Sequence, residues 1–152
     1  MLYSLRERRL CERTTEKQWG EEFMLKSGIL NPAINSLLSR VRHTNTLVIA
    51  DRGFPFWREI ETVDISLVDD IPQVLDVLRA IRGNFVIGGA MMAEEFRSEN
   101  GTAVQRKFAD ALANVEIVYE PHVEFKKRVP RAIGLIRTGD TTQYANIIIE
   151  SA

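Results

Sequence analysis

Thr46-Leu47-Val48-Ile49-Ala50 is a β-favouring run that is apolar without a break after its first residue, and it stops abruptly at Asp51-Arg52-Gly53. A strand with one wet face alternates polar and apolar side chains. One without alternation is buried on both faces. The sheet holding this run therefore needs a layer on each side, and helices are the usual cover in an α/β fold.

The flanking sequence supplies those helices. Asn31-Pro32 reads as a helix start, with Asn as the cap and Pro at the first helical position. Ile34, Leu37, Leu38 and Val41 follow at i, i+3, i+4 and i+7, one apolar face. Residues 63–67 are a short strand. Asp69, Asp70 and Pro72 open a second helix with Val74, Leu75, Leu78 and Ile81 inward, ended by Gly83-Asn84. Phe85-Val86-Ile87 reads as a strand, and residues 90–97 as a helix broken by Asn100-Gly101. Helix resumes over 103–113. Residues 115–119 are a strand, and Pro121 starts a short helix through Val129. Strands at 132–137 and 146–150 close the chain around Gly139-Asp140, and a turn that short predicts antiparallel pairing between them. The expectation is one α/β domain with a mixed sheet.

Composition removes other classes. The chain has 152 residues, one domain's worth, and its 20 Lys and Arg against 21 Asp and Glu call for neither nucleic acid nor an anionic membrane. The apolar stretch 85–93 is interrupted by two glycines and too short to cross a bilayer. The N-terminus carries charges where a signal peptide needs an apolar segment. A single cysteine, Cys11, can form neither an internal disulfide nor a Cys-based zinc site, which suits a cytoplasmic protein. Residues 1–23 are rich in Arg and Glu, with Leu2, Leu5 and Leu10 at roughly helical spacing. They read as an N-terminal helix or arm ahead of a domain over 24–152. Alternatively, Met24 is the natural start and the codons for Gly20 to Phe23 are a purine-rich ribosome-binding site.

Few residues offer neutral-pH chemistry. His43 sits in the polar loop Arg42-His43-Thr44-Asn45 before the buried strand, and Asp51 follows that strand. His43 is either a proton-transfer group, since imidazole titrates near neutrality, or a loop histidine with no role. His122 follows Glu120-Pro121 at a strand end, where α/β sheets open ligand crevices; the alternative is a capping or surface histidine. Tyr144 and Asn146 flank Ala145, and at i and i+2 of a strand they would share one face. Asp140 reads as a turn residue. Gly88-Gly89 fits no phosphate-loop pattern and reads as a tight turn or a point of close packing. His43, Asp51 and His122 lack the short spacing of a metal set. Trp57, near Pro55 and Phe56, reads as a pocket or interface residue.

Taken in order, these segments resemble the ribose pyranase and fucose mutarotase family, sugar mutarotases that accompany bacterial monosaccharide uptake. The matching pieces are Gly28-Ile29-Leu30-Asn31, His43-Thr44-Asn45-Thr46-Leu47-Val48, Asp51, Ala93-Glu94-Glu95, His122-Val123-Glu124-Phe125-Lys126, and Gly139-Asp140 with Tyr144-Ala145-Asn146-Ile147-Ile148. They run from about Met24 to Ile149 and look closer to the ribose branch. The resemblance implies a three-layer α/β/α domain with a mostly parallel sheet. It also implies a ring-forming homo-oligomer, decameric in the ribose branch, with sites at subunit interfaces. The implied reaction interconverts pyranose and furanose forms, or anomers, of a monosaccharide without cofactor or metal. By position, His43 matches the catalytic histidine. Asp51, His122, Tyr144, Ala145 and Asn146 match sugar-binding positions, Ala145 through its backbone. Lys126 matches a motif position without an assigned role.

Two positions depart from that pattern. Arg42 stands where the family has Gly, and Asn45 stands where H-T-D has Asp. An Asp there would favour imidazolium at His43, whereas Asn brings no charge. Asp51 is a candidate to supply it. Ring opening takes a proton from the anomeric hydroxyl and gives one to the ring oxygen. His43 is the expected shuttle, and Asp51 orients it or holds a hydroxyl. Asn45 keeps a non-catalytic sugar-binding or transporter-associated protein as the alternative; a metal enzyme using both histidines is a further rival.

Overall fold

The computed structural model describes residues 28–152. The arm expected over 1–23 and the choice of Met24 as start lie outside the described residues.

Asn31 caps α1 (Pro32–Leu38), its side-chain oxygen accepting the N–H groups of Ala33 and Ile34 at 2.9 and 3.0 Å. The chain continues through β1 (Thr46–Ala50), β2 (Glu61–Asp64), α2 (Val74–Arg82), β3 (Ile87–Ala93), α3 (Glu94–Glu99) and α4 (Thr102–Leu112). It closes with β4 (Ile117–Glu120), α5 (His122–Arg128), a 3₁₀ turn (Val129–Arg131), β5 (Gly134–Arg137) and β6 (Ile147–Ser151). One six-stranded sheet runs in the order β2-β5-β1-β6-β3-β4. β1 is parallel to β5, β5 to β2, and β3 to β4. β6 is antiparallel to both its neighbours, β1 and β3. Five strands thus point one way and β6 alone is reversed.

The side chains of β1 explain its uninterrupted apolarity. Leu47 and Ile49 enter a core with α1, α2, Phe96 of α3 and Phe108 of α4. Val48 and Ala50 enter a second core on the other face with Phe54, Phe125 and Val129. Both faces are covered, which makes the domain a three-layer α/β/α structure with a mixed, mostly parallel sheet.

Three local expectations give way. β5 and β6 do not pair with each other, because β1 lies between them. The chain leaving β5 passes β1 and re-enters the sheet on its far side. The segment 87–93 is strand throughout, and helix starts only at Glu94. Ala90-Met91-Met92-Ala93 favours helix locally, but β6 and β4 claim it on either side. Of the two readings of Gly88-Gly89, the tight turn between elements fails and the close packing holds. The pair lies inside β3, at a register shift, where a Cβ on Gly88 would approach Ala152 to 3.0 Å. Finally, Tyr144 is not a strand residue, since β6 begins at Ile147. Its φ of 54° places it in a left-handed turn, so the shared-face argument for Tyr144 and Asn146 fails.

Candidate active site

The reversal of β6 decides where chemistry collects. Its start lies beside the ends of β1 and β3, with Ile147 opposite Ile49 and Met92. One sheet edge therefore carries the residues after β1, β3, β4 and β5 together with those before β6. Asp51, Gly53, Phe54, Pro55, His122, Lys126, Gln143, Tyr144 and Asn146 line a cleft of about 260 Å³ there. Hollows of about 360 and 310 Å³ exist elsewhere. They bring no carboxylate and imidazole together, so chemistry rather than volume selects the edge cleft.

Asp51 and Asn146 are joined at two points. Asn146 Oδ1 accepts the Asp51 N–H at 2.8 Å, and its Nδ2 donates to Asp51 Oδ2 at 2.9 Å. Asp51 Oδ1 accepts the Gly53 N–H at 2.9 Å. Burial pushes the Asp51 carboxyl above its ordinary value, against the lowering effect of the Asn146 bond, and nearby Asp140 adds to the rise. Asp140 is buried. Its Oδ2 accepts the first N–H of α2, from Val74, and its Oδ1 accepts the Thr142 N–H, both at 2.8 Å. It therefore does more than shape a turn, because it bolts the 138–146 loop to α2.

His122 opens α5. The helix has no side-chain cap of its own at Pro121. Glu95, one residue into α3, accepts the His122 N–H instead, at 2.9 and 3.2 Å. The imidazole lies over Phe54 and Phe125, with ring centres 6.2 and 6.1 Å away, and meets Tyr144 edge-on at 5.0 Å. Its Nε2 is buried and has no hydrogen-bond partner among the described residues. Burial, then Lys126 one turn along α5, pushes its pKa below the ordinary 6.5, while Glu95 and Asp51 oppose the shift. His122 is thus a neutral imidazole at neutral pH, able to accept a proton. Ala145 is fully buried, and its N–H donates to the Thr142 carbonyl at 3.3 Å. It does not line the cleft, unlike its neighbours Tyr144 and Asn146.

His43 is elsewhere. It is exposed in the turn before β1, at the opposite sheet edge from Asp51. A five-residue strand spans roughly 16 Å, so within one chain Asp51 cannot orient His43 or lend it charge. The possible metal set of His43, Asp51 and His122 is dispersed for the same reason. The turn presenting His43 is tightly held. Asn45 Oδ1 accepts the Arg42 N–H at 2.9 Å, the Thr44 N–H reaches the Ser151 carbonyl at 3.1 Å, and Ser151 Oγ donates to the Arg42 carbonyl at 2.7 Å. Asn45 thus makes a turn bond that an Asp oxygen would make equally well.

Sequence reasoning passed over Glu95, Phe54 and the structural work of Asp140. Glu95 stood in a noted motif, but its partner lies 27 residues away. Trp57 packs beside Phe54 with ring centres 6.3 Å apart and is not among the residues lining the cleft.

The model of the RbsD / FucU transport protein family matches residues 24–152. A D-ribose pyranase of Geobacillus thermodenitrificans is 40% identical over 128 residues, spanning 84% of this chain and 96% of its own length. The structure of Bacillus subtilis RbsD complexed with D-ribose superposes with a TM-score of 0.79 at 31% identity, covering 85% of this chain and 98% of that one. A fucose mutarotase from Streptococcus pneumoniae in complex with L-fucose gives a TM-score of 0.72 at 18% identity, covering 84% and 98%, a likeness of fold alone.

Proposed function

From the premise that this chain belongs to the RbsD / FucU transport protein family, we infer that it is an isomerase acting on a monosaccharide. It interconverts pyranose and furanose forms, or anomers, by acid–base ring opening. D-Ribose is the substrate we propose, because the relatives at 40 and 41% identity are D-ribose pyranases. The observation that carries the reading is the strand-end cleft, where Asp51, His122 and Tyr144 face one space.

The reaction needs one group to accept a proton from the anomeric hydroxyl and one to deliver a proton to the ring oxygen. Neutral His122 or the Asp51 carboxylate offers the acceptor and, once protonated, returns that proton to the ring oxygen as the C–O bond opens; Tyr144 and Lys126 offer donors to other sugar oxygens. No cofactor enters this scheme. His43, the expected proton shuttle, enters it only from a second copy of the chain, whose turn would reach across the cleft. This fits a ring homo-oligomer, decameric on the ribose-branch pattern. Leu67, Val68 and Ile71 are 77, 59 and 53% exposed on one loop, an apolar surface that a neighbouring subunit would cover. Among the described residues no helix is long and apolar enough to cross a membrane. We place the protein in the cytoplasm, with residues 1–23 an extension ahead of a mutarotase-like domain over 24–152.

Saturation-transfer NMR on D-ribose and L-fucose, with and without protein, tests this reading. Faster exchange between ribose forms is expected. Acceleration of fucose alone would move the chain to the other branch. Ribose binding without acceleration would favour a non-catalytic sugar-binding or transporter-associated protein.

A further inference from the structure

We propose that Asn146 is a positioning residue for Asp51, its amide holding that residue's backbone and carboxylate together. The proposal rests on the cleft being the catalytic site.

The geometry fixes the amide unambiguously. The Asp51 N–H can only donate, so the Asn146 atom 2.8 Å from it is the oxygen. The atom 2.9 Å from Asp51 Oδ2 is therefore the NH₂ group. Two bonds of opposite polarity clasp one residue, and a reversed amide would break both. Asn146 is 3% exposed, and the strand pairing of Ile147 with Ile49 brings its side chain to the end of β1. With Gly53 on the other oxygen, each Asp51 oxygen has one fixed donor, which sets the plane of the carboxylate. The remaining lone pairs are the ones a sugar hydroxyl can use.

The clasp also offsets burial, because a donor to the carboxylate favours its charged form. The other charged groups around Asp51 come from several elements. Asp140 lies in the loop before β6, and His122 and Lys126 lie on α5. Arg52, its chain neighbour, pairs with Asp69. Arg137, at the end of β5, donates to the carbonyls of Arg52, Phe54 and Pro55. None of these makes a hydrogen bond to the Asp51 carboxylate; among the described side chains, only Asn146 does.

The test titrates the Asp51 carboxyl carbon by ¹³C NMR in wild type, Asn146→Ala and Asn146→Asp. It also measures ribose exchange against pH in the same proteins and in Asp51→Asn. Removing the donor, or replacing it with a second carboxylate, should move the Asp51 midpoint upward. The acid limb of the kcat profile should move with it, with kcat lower by about tenfold for a lost charge-assisted bond and KM little changed. Adding Asn146→Ala to Asp51→Asn should bring no further loss. An unmoved midpoint in both Asn146 variants would overturn the proposal, as would a rise in KM alone. Full exchange by Asp51→Asn would instead overturn the catalytic reading of the cleft, and the titration would still decide whether Asn146 governs Asp51.

Discussion

His122 shows how one side chain takes its properties from several elements. β4 and Pro121 deliver it, Glu95 fixes its backbone, and Phe54, Phe125 and Tyr144 surround its ring. Burial holds its folded pKa below the ordinary 6.5. The unfolded chain therefore binds the proton more readily, and the stability held above pH 6.5 is lost as pH falls through that value toward the lowered one. Replacing His122 with Gln removes this titration. Urea midpoints on either side of pH 6.5 should fall less toward acid in the variant than in wild type. Equal falls would mean that the imidazole is not desolvated. Asp51, His122, Tyr144 and Asn146, picked out in sequence by motif order, line one cleft. The Asp51–Asn146 clasp was not, since 95 residues separate the partners and no spacing rule spans that distance.

At the level of elements, helix starts and buried strands were the readable features. Asn31-Pro32 began α1, and Thr46–Ala50 was β1 to the residue. Boundaries failed where tertiary contacts outweighed local preference, as at 90–93, which neighbouring strands draw into β3. The position of β6 was invisible for a similar reason. A short turn suggests a hairpin, but an intervening β1 satisfies the same backbone groups. α5 depends on a carboxylate from α3 for its first turn. Glu95→Ala should therefore cost about 1 kcal/mol of stability, the usual scale for a lost helix cap. It should also slow ribose exchange beyond what the lost stability explains, because His122 loses its anchor. Denaturant melts and exchange rates measured on the same samples would show this. A stability loss with exchange untouched would reduce Glu95 to a structural cap.

At the scale of the whole molecule, the two candidate groups for proton transfer lie at opposite ends of the sheet. The cleft gathers an acid, a neutral imidazole and a phenol at one sheet edge, while the turn carrying His43 is braced at the other. His43 and Asp51 stand only eight positions apart, and the strand read between them already puts them at opposite ends. If catalysis uses both, the site is divided between copies, and two individually defective chains should repair each other. The most direct measurement mixes His43→Ala with Asp51→Asn subunits, dissociates and reassembles them together, and follows ribose exchange by saturation transfer. Hybrid rings should regain activity that neither variant shows alone, because some sites then combine an intact His43 with an intact Asp51. Mixtures no more active than the separate variants, with mixed assembly verified by mass, would contradict a site built across two copies.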